Sequence, residues 1–141
     1  MYNNFIIFGS TGGTGIHIVK KLLEQGKNVT IVVRDKTKAK TIFKENYEKI
    51  KLVIEEQMGR GTSIKNDELK NALKSTDCLI SAIGSSMSSN PKLDEYVAVK
   101  ELIELAEEAK VKKFALITSL YITRPYTFVS FLLNNLLPFV L

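Results

Sequence analysis

A glycine-rich turn near the start of the chain has the residue types and spacing of a phosphate-binding loop. It reads GSTGGTG and follows the short apolar run FIIF at residues 5–8. Glycine at its first position permits a tight turn, glycine at its fourth lets main-chain atoms approach a pyrophosphate, and glycine at its seventh allows close packing of a helix on a strand. Main-chain N–H groups and the positive end of the helix dipole then face the anion. The predicted pyrophosphate-binding residues are Gly9, Ser10, Thr11, Gly12, Gly13, Thr14 and Gly15.

A second chemical signal follows the next apolar run, where the chain reads Arg34-Asp35. In dinucleotide sites a carboxylate here holds the ribose 2′-hydroxyl of NAD, whereas a guanidinium can bind a 2′-phosphate through paired, charge-assisted hydrogen bonds. Arg34 therefore favours NADP (NADPH) as the cofactor. If the strand runs one residue longer, Asp35 becomes the ribose ligand and NAD is bound instead. A third interpretation is that both are solvated turn residues.

The hydrophobic pattern predicts the elements that position these signals. Apolar runs predict five strands, at residues 5–8, 29–33, 52–54, 78–83 and 114–117. Helical spacing predicts a helix in each interval between them, with Gly26 ending the first, Asn66 capping the third and Asn90-Pro91 opening the fourth. On the inward face of the fourth helix we expect Tyr96, Val99, Leu102, Ile103 and Ala106.

Strands that alternate with helices imply a parallel sheet with right-handed crossovers and helices on both faces. We therefore predict an α/β fold with a doubly wound parallel sheet, the Rossmann NAD(P)-binding fold, of five strands plus a terminal apolar helix. The chain has 141 residues. That length is used up by this one domain, 1–141, without a sixth strand or a separate substrate lobe.

Composition excludes several other classes of protein. The chain is 45% hydrophobic and 25% charged with a single cysteine, which fits a globular domain and excludes disordered, collagen-like and disulfide-stabilised proteins. Cys78 is expected to be a reduced core residue, which favours a cytoplasmic location, as does the lack of a targeting segment. The net charge is +5, but the lysines are scattered without a basic stripe or aromatic platform, so we expect no nucleic-acid partner. No metal-ligand cluster is predicted.

The last residues, YTFVSFLLNNLLPFVL at 126–141, are strongly apolar. This segment is shorter than the roughly 20 residues of a membrane-spanning helix and contains two asparagines and a proline, so we expect no membrane span. A helix over about 127–137 would have an uncovered apolar side. Three explanations remain open: the native protein is longer, the helix docks a protein partner or a second copy, or the gene is a decayed copy.

Four segments in order, FGSTGGTG, VVRD, DELKNALKSTDCLISAIG and VKKFALITS, resemble the atypical short-chain dehydrogenase/reductase group of NAD(P)H-binding proteins that includes NmrA, Tic62 and the flavin/biliverdin-IXβ reductases. The resemblance covers nearly the whole chain. It implies that the glycine turn binds pyrophosphate, that Arg34 binds the 2′-phosphate, and that Ala82, Ile83 and Gly84 lie against the adenosine and ribose. It also implies that Thr118 and Ser119 lie beside the nicotinamide.

Two departures from that group bear on function. Relatives end the third strand with Gly-Asp near the adenine, where this chain reads Gly61-Thr62. No YxxxK motif, which supplies the tyrosine that acts as the acid in typical members, follows Ser119. The same spacing occurs at Tyr96 to Lys100, but on the helix before the fifth strand, whereas the motif belongs on the helix after it. The usual tyrosine acid is therefore missing.

Two functions from different classes remain. With NADPH bound beside an electron-poor small-molecule acceptor such as a flavin or quinone, the protein would mainly orient the pair, with Ser119 as a hydrogen-bond donor. Alternatively, the chain is a non-catalytic NADPH-binding redox sensor or assembly factor that acts through a protein partner.

Overall fold

The computed structural model describes residues 1–56, 66–84 and 91–117, with the backbone alone for residues 91–96. Strands and helices alternate along it as the hydrophobic pattern predicts. The elements are β1 (Asn4–Phe8), α1 (Gly13–Glu24), β2 (Asn28–Val33), α2 (Lys36–Phe43), a short 3₁₀ helix (Lys44–Lys49), β3 (Ile50–Ile54), α3 (Asp67–Lys74), β4 (Cys78–Ser81), α4 (Pro91–Glu108) and β5 (Lys113–Leu116).

The five strands form one parallel sheet in the order β3-β2-β1-β4-β5. In the centre, Phe8 at the end of β1 pairs with Val32 on one side and with Ser81 at the end of β4 on the other. The strand order therefore reverses direction between β1 and β4. In open α/β sheets of this kind, ligands bind beside the carboxyl ends of the strands at such a reversal.

Helices cover both faces of the sheet. Because successive side chains of a strand point to opposite faces, the strands contribute to two separate hydrophobic layers. On the face that contacts α3 and α4, Leu69, Leu73 and Leu102 pack against Ile6 and Leu79. On the other face, residues of α1 and α2 pack against β1 and β2; this layer comprises Ile7, Val19, Val29, Ile31, Val33, Ala39, Phe43 and Ile50. The predicted doubly wound α/β fold is confirmed, and Cys78 is buried with a free thiol, as expected.

Two helices end in the same left-handed cap. After α1, the N–H groups of Gly26 and Lys27 donate to the carbonyls of Leu23 and Leu22 at 3.0 Å each, and Gly26 has φ +68°. This is the Schellman arrangement, in which glycine is favoured because it has no Cβ to clash. The corresponding position after α4 is Lys110, with φ +54°.

A carboxylate joins three strands at the amino edge of the sheet. The side chain of Asp77, just before β4, accepts hydrogen bonds from the N–H groups of Asn3 and Asn4 at 3.0 Å each. Its other oxygen accepts from the Lys112 ammonium group at 2.7 Å, just before β5. These charge-assisted bonds hold the pKa of Asp77 well below its usual range.

The prediction for the inward face of α4 is partly wrong. Leu102 and Ala106 are buried, but Ile103 is 42% exposed and Leu105 takes the inward position instead. Apolar residues occur on more than one side of this helix, and one residue turns the helix by about 100°, so periodicity alone does not select the face. Tyr96 contributes only its backbone to the described structure.

Other predictions fall on residues that the structure does not describe. These include the turn at Gly61-Thr62, the residue Asn90 expected before the fourth helix, and the terminal apolar helix over 127–137. None of the helices that the structure describes is both long and apolar enough to cross a membrane.

Candidate functional site

The glycine turn connects the central strand to the first helix with a single tight bend. Gly9 directly follows β1 and has φ +72°, a left-handed conformation that favours glycine. The N–H of Gly12 donates to the carbonyl of Gly9 at 3.1 Å, and the N–H of Ile16 donates to the carbonyl of Gly12 at 2.9 Å. Helix α1 therefore begins at Gly13, immediately beside the carboxyl end of β1.

The start of α1 is suited to an anion. Its N-cap residue is Gly12, which has no side chain to accept from the first N–H groups, and the first turn carries no acidic residue. The first N–H groups of a helix have no partner within the helix, and the helix dipole places partial positive charge at this end. An external anion can therefore accept these hydrogen bonds.

The glycine turn touches the end of the neighbouring strand. A Cβ built on Gly9 would lie 2.7 Å from the nitrogen of Ile83 and closer still to the carbonyl of Ala82, so only glycine fits. The N–H of Ala82 donates to the carbonyl of Phe8 at 2.9 Å, which extends the pairing of β1 with β4 by one residue. The structure thus brings Gly9 together with Ala82 and Ile83. Gly84, the next residue along the chain, is exposed. Strand β4 ends at Ser81, earlier than predicted.

Two buried hydroxyls lie in these same segments. Ser10 and Ser81 are both fully buried, and their Oγ atoms have no hydrogen-bond partner among the described residues. Ser10 was expected to bind cofactor as part of the turn. The sequence does not predict Ser81 as a site residue. The one indication in the sequence is that Ser81 directly precedes Ala82.

Arg34 and Asp35 have different roles in the fold. Strand β2 ends at Val33, so Arg34 is the first residue beyond it, and its side chain is exposed. Asp35 is the N-cap of α2: its backbone is extended, and its Oδ1 accepts from the N–H of Lys38 at 3.0 Å. None of the ion pairs found in the described parts of the chain involves Arg34.

The capping role of Asp35 could have been found from the sequence. Aspartate immediately before a helical stretch is among the most favoured N-cap residues, because its carboxylate accepts from a first-turn N–H. The cap is a third role for Asp35, beside the ribose ligand and the solvated turn residue that the sequence analysis gives.

A buried carboxylate follows the edge strand. Glu55 is only 6% exposed, and its N–H donates to the carbonyl of Val33 at 2.9 Å. Since Ile54 pairs with Val33, Glu55 stands one step beyond the ladder, next to Arg34. Its position at the carboxyl edge was missed because the sequence after β3 has no clear periodicity.

Two of the predicted site residues cannot be placed. Thr118 and Ser119 lie outside the described residues, which end at Ile117. The N–H of Ile117 donates to the carbonyl of Ser81 at 3.0 Å, so the described chain ends beside the carboxyl end of β4. No group of three or more potential metal-ligating side chains occurs in the described segments.

Comparison with known proteins identifies relatives of this chain. A sequence model of a family described as NAD(P)H-binding matches residues 9–137. The chain is 30% identical over 134 residues to Protein TIC 62, chloroplastic, from Pisum sativum, which covers 84% of this chain and 24% of that protein. The Arabidopsis thaliana protein of the same name is 29% identical over 145 residues, covering 91% of this chain and 22% of that protein. The chain therefore spans less than a quarter of the length of these curated relatives.

Solved structures with the same fold include reductases. The yeast methylglyoxal/isovaleraldehyde reductase Gre2, complexed with NADPH, superposes with a TM-score of 0.72 at 16% identity, over 83% of this chain and 37% of that one. ChuY, an anaerobillin reductase from Escherichia coli O157:H7, gives a TM-score of 0.62 at 20% identity, over 83% of this chain and 51% of that one. At these identities the likeness concerns the fold alone. Because the family model covers the glycine turn, Arg34 and most of the remaining sequence, this chain belongs to the NAD(P)H-binding family.

Proposed function

We propose that the chain binds NADPH in preference to NADH and uses it to reduce a small electron-poor acceptor such as a flavin or quinone. The observation that carries the cofactor preference is the hydrogen bond from the Lys38 N–H to the Asp35 carboxylate. A carboxylate that caps a helix is oriented by that bond toward the first turn of α2, which favours a structural role for Asp35. Arg34 remains as the exposed group with the charge to bind a 2′-phosphate.

The diphosphate is assigned to the start of α1. Support comes from the first-turn N–H groups, which have no side-chain cap, and from the contact of Gly9 with Ala82 and Ile83. In this arrangement residues 9–15 hold the diphosphate, Arg34 holds the 2′-phosphate, and residues 82–84 line the ribose side. All three segments follow the carboxyl ends of neighbouring strands, β1, β2 and β4.

The reaction assigned to this site needs few protein groups. Bound NADPH supplies a hydride to an electron-poor acceptor. The protein's part is to hold the two molecules at contact distance and to exclude competing orientations. We assign Ser119 the role of donating a hydrogen bond to the acceptor, with Thr118 beside it, and water the role of proton source. The family resemblance supports this assignment.

The alternative function is a redox sensor or assembly factor that binds NADPH without turnover and acts through a protein partner. This alternative is supported by the length of both curated relatives, which extend well beyond the matched region. The two functions share the cofactor site, and only the reductase turns over an acceptor, so one experiment separates them.

NADPH oxidation should be followed with a panel of flavins, quinones and nitro-compounds, using the chain, its Arg34→Ala variant and its Ser119→Ala variant. For a reductase, at least one acceptor is turned over above the background without protein, the Arg34→Ala variant raises KM for NADPH, and Ser119→Ala lowers kcat. Tight NADPH binding with no turnover of any acceptor would reject the reductase and favour the sensor.

A further inference from the structure

Helix α4 carries apolar residues on two sides, and the sheet covers only one of them. Its inward side chains are buried; they are those of Ala98, Leu102, Leu105 and Ala106. Beside them, Val99 is partly buried and Ile103 is 42% exposed. Residues four apart share a face of a helix, so these two form a second apolar stripe. A helix with one partner needs one stripe, and a second stripe indicates a second partner.

The second stripe lies on the flank of α4 away from α3. Helix α4 runs from β4 to β5, the last strand of the sheet, on the face that α3 also covers. In a right-handed crossover between parallel strands the helix is antiparallel to them, and the residue after an inward one is turned by about 100° toward the later strand. Ile103, which follows the inward Leu102, is therefore turned toward the outer side of β5.

Strand β5 extends the same apolar surface. Among the described strands it pairs only with β4. Phe114 pairs with Leu79, which lies in the hydrophobic layer beneath α4. Leu116, two residues on, faces the same way, and both side chains are only partly buried. We call the four residues Val99, Ile103, Phe114 and Leu116 the α4–β5 surface.

An apolar segment of suitable length follows this strand along the chain. Residues 126–141 are strongly apolar, and helical spacing places four of them on one side: Phe128, Phe131, Leu132 and Leu136. A helix over 127–137 would be about 16 Å long, close to the ~13 Å of β5. The residues between Ile117 and Phe128 span up to about 33 Å when extended, which lets the chain return beside α4.

The topology favours the same face of the sheet for this segment. Helices α3 and α4 lead to β4 and β5 in the same direction along the sheet, and both lie on one face. A chain that continues in that direction makes a right-handed connection only if its next helix lies on that face as well. A helix after β5 is therefore expected beside α4, next to the exposed stripe.

We propose that residues 127–137 form a helix that packs on the α4–β5 surface of the same chain, with Phe128, Phe131, Leu132 and Leu136 toward Ile103. This inference goes beyond the proposed function and does not depend on cofactor binding. The apolar side of the terminal segment is then buried within its own chain, and is not offered to a second copy or to another protein.

Disulfide trapping in the full chain tests this packing, because the one native thiol, at Cys78, is buried. Ile103→Cys is combined in turn with Phe128→Cys, Leu132→Cys and Leu136→Cys, and each variant is oxidised under native conditions. Intact mass, non-reducing gels and peptide mapping then show whether a bridge forms within one chain or between two.

Two control substitutions move one thiol of the pair to the other side of its helix. Glu104→Cys, at an exposed position next to Ile103, is combined with the same three partners. Ser130→Cys, on the polar side of the terminal segment, is combined with Ile103→Cys. Since a disulfide needs Cα atoms within about 7 Å, we expect at least one test pair to bridge within one chain at a yield about tenfold above the controls. Equal yields in test and control pairs, no bridge in any test pair, or bridges mainly between two chains would each overturn the proposal.

Ile103→Gln supplies a second readout that needs no cysteine. Glutamine is a better helix former than isoleucine, so on an uncovered surface this change would keep or raise the thermal midpoint. Beneath the docked helix it removes apolar packing, and we expect the midpoint to fall by about 4 °C or more. Glu104→Gln, which only breaks the exposed 3.9 Å ion pair with Lys100, is the control and should shift the midpoint little. An unchanged or raised midpoint in Ile103→Gln would contradict the packing.

Discussion

The carboxylate of Asp35 accepts a hydrogen bond from the main-chain N–H of Lys38 at 3.0 Å, which makes it the N-cap of α2. This bond gives different roles to two adjacent charged residues, either of which the glycine-turn motif allows as the cofactor ligand. Asp35 stabilises the helix, and the exposed Arg34 before it is left to recognise the cofactor.

Replacing Arg34 by alanine should weaken NADPH and leave NADH nearly unchanged. A charge-assisted contact to a phosphate contributes about 2 kcal/mol, or roughly a thirtyfold change in dissociation constant. Calorimetric titration with both dinucleotides measures the effect. Lys49→Ala, which removes an equal charge from the 3₁₀ helix before β3, is the control and should change neither affinity. An equal loss for NADPH and NADH in Arg34→Ala would reject the role of Arg34.

Two substitutions at Asp35 test whether its carboxylate caps a helix or holds a ribose. Asparagine is as good an N-cap as aspartate, so Asp35→Asn should change neither stability nor NADH affinity by much. Asp35→Ala removes the cap and should lower the free energy of unfolding by about 1 kcal/mol, measured by chemical denaturation. A large loss of NADH affinity in Asp35→Asn, with stability retained, would show that the carboxylate holds the ribose.

The matching caps after α1 and α4 predict opposite effects on stability. Lys110→Gly relieves a left-handed conformation that a side chain disfavours and should raise the free energy of unfolding by about 1 kcal/mol. Gly26→Ala introduces the same strain after α1 and should lower it by about the same amount. Urea denaturation of both variants checks the pair, and a loss of stability in Lys110→Gly would contradict the cap assignment.

Asp77 should give the protein an acid-sensitive step. Its pKa is lowered in the folded state by Lys112 and by the N–H groups of Asn3 and Asn4. The folded state therefore favours the ionised form, so the stabilisation is complete above the unfolded-state pKa of about 4 and is lost as the pH falls toward the folded value. The difference between the unfolding free energies of the wild type and Asp77→Asn should therefore be constant above about pH 4 and shrink steadily as the pH falls below it. A constant difference between the two at every pH would contradict this account.

The sequence predicts the fold well because each local signal is independent of distant parts of the chain. The glycine turn, the cap at Asn66 and the end of α1 at Gly26 are all set by neighbouring residues, and the structure has each of them in place. The inward face of α4 was partly mispredicted because Ile103 and Leu105 are both apolar, and only the packed sheet selects Leu105.

The site is less predictable than the fold because it depends on contacts between distant segments. Gly9 meets Ala82 across 73 positions of the sequence, and spacing alone could not show that only glycine fits there. The burial of Ser81 and Glu55 likewise depends on neighbouring strands. By contrast, the capping role of Asp35 depends on local sequence alone, because aspartate directly before a helical stretch is a favoured N-cap residue.

The most direct test of whether the start of α1 binds a dinucleotide is calorimetric titration of the folded chain with NADPH and with NADH. Thermal unfolding is then measured at the end point of each titration. The account predicts saturable heat with one site per chain, a thermal midpoint raised by bound NADPH, and weaker binding of NADH. Cooperative unfolding with no heat and no change of midpoint with either dinucleotide would contradict it.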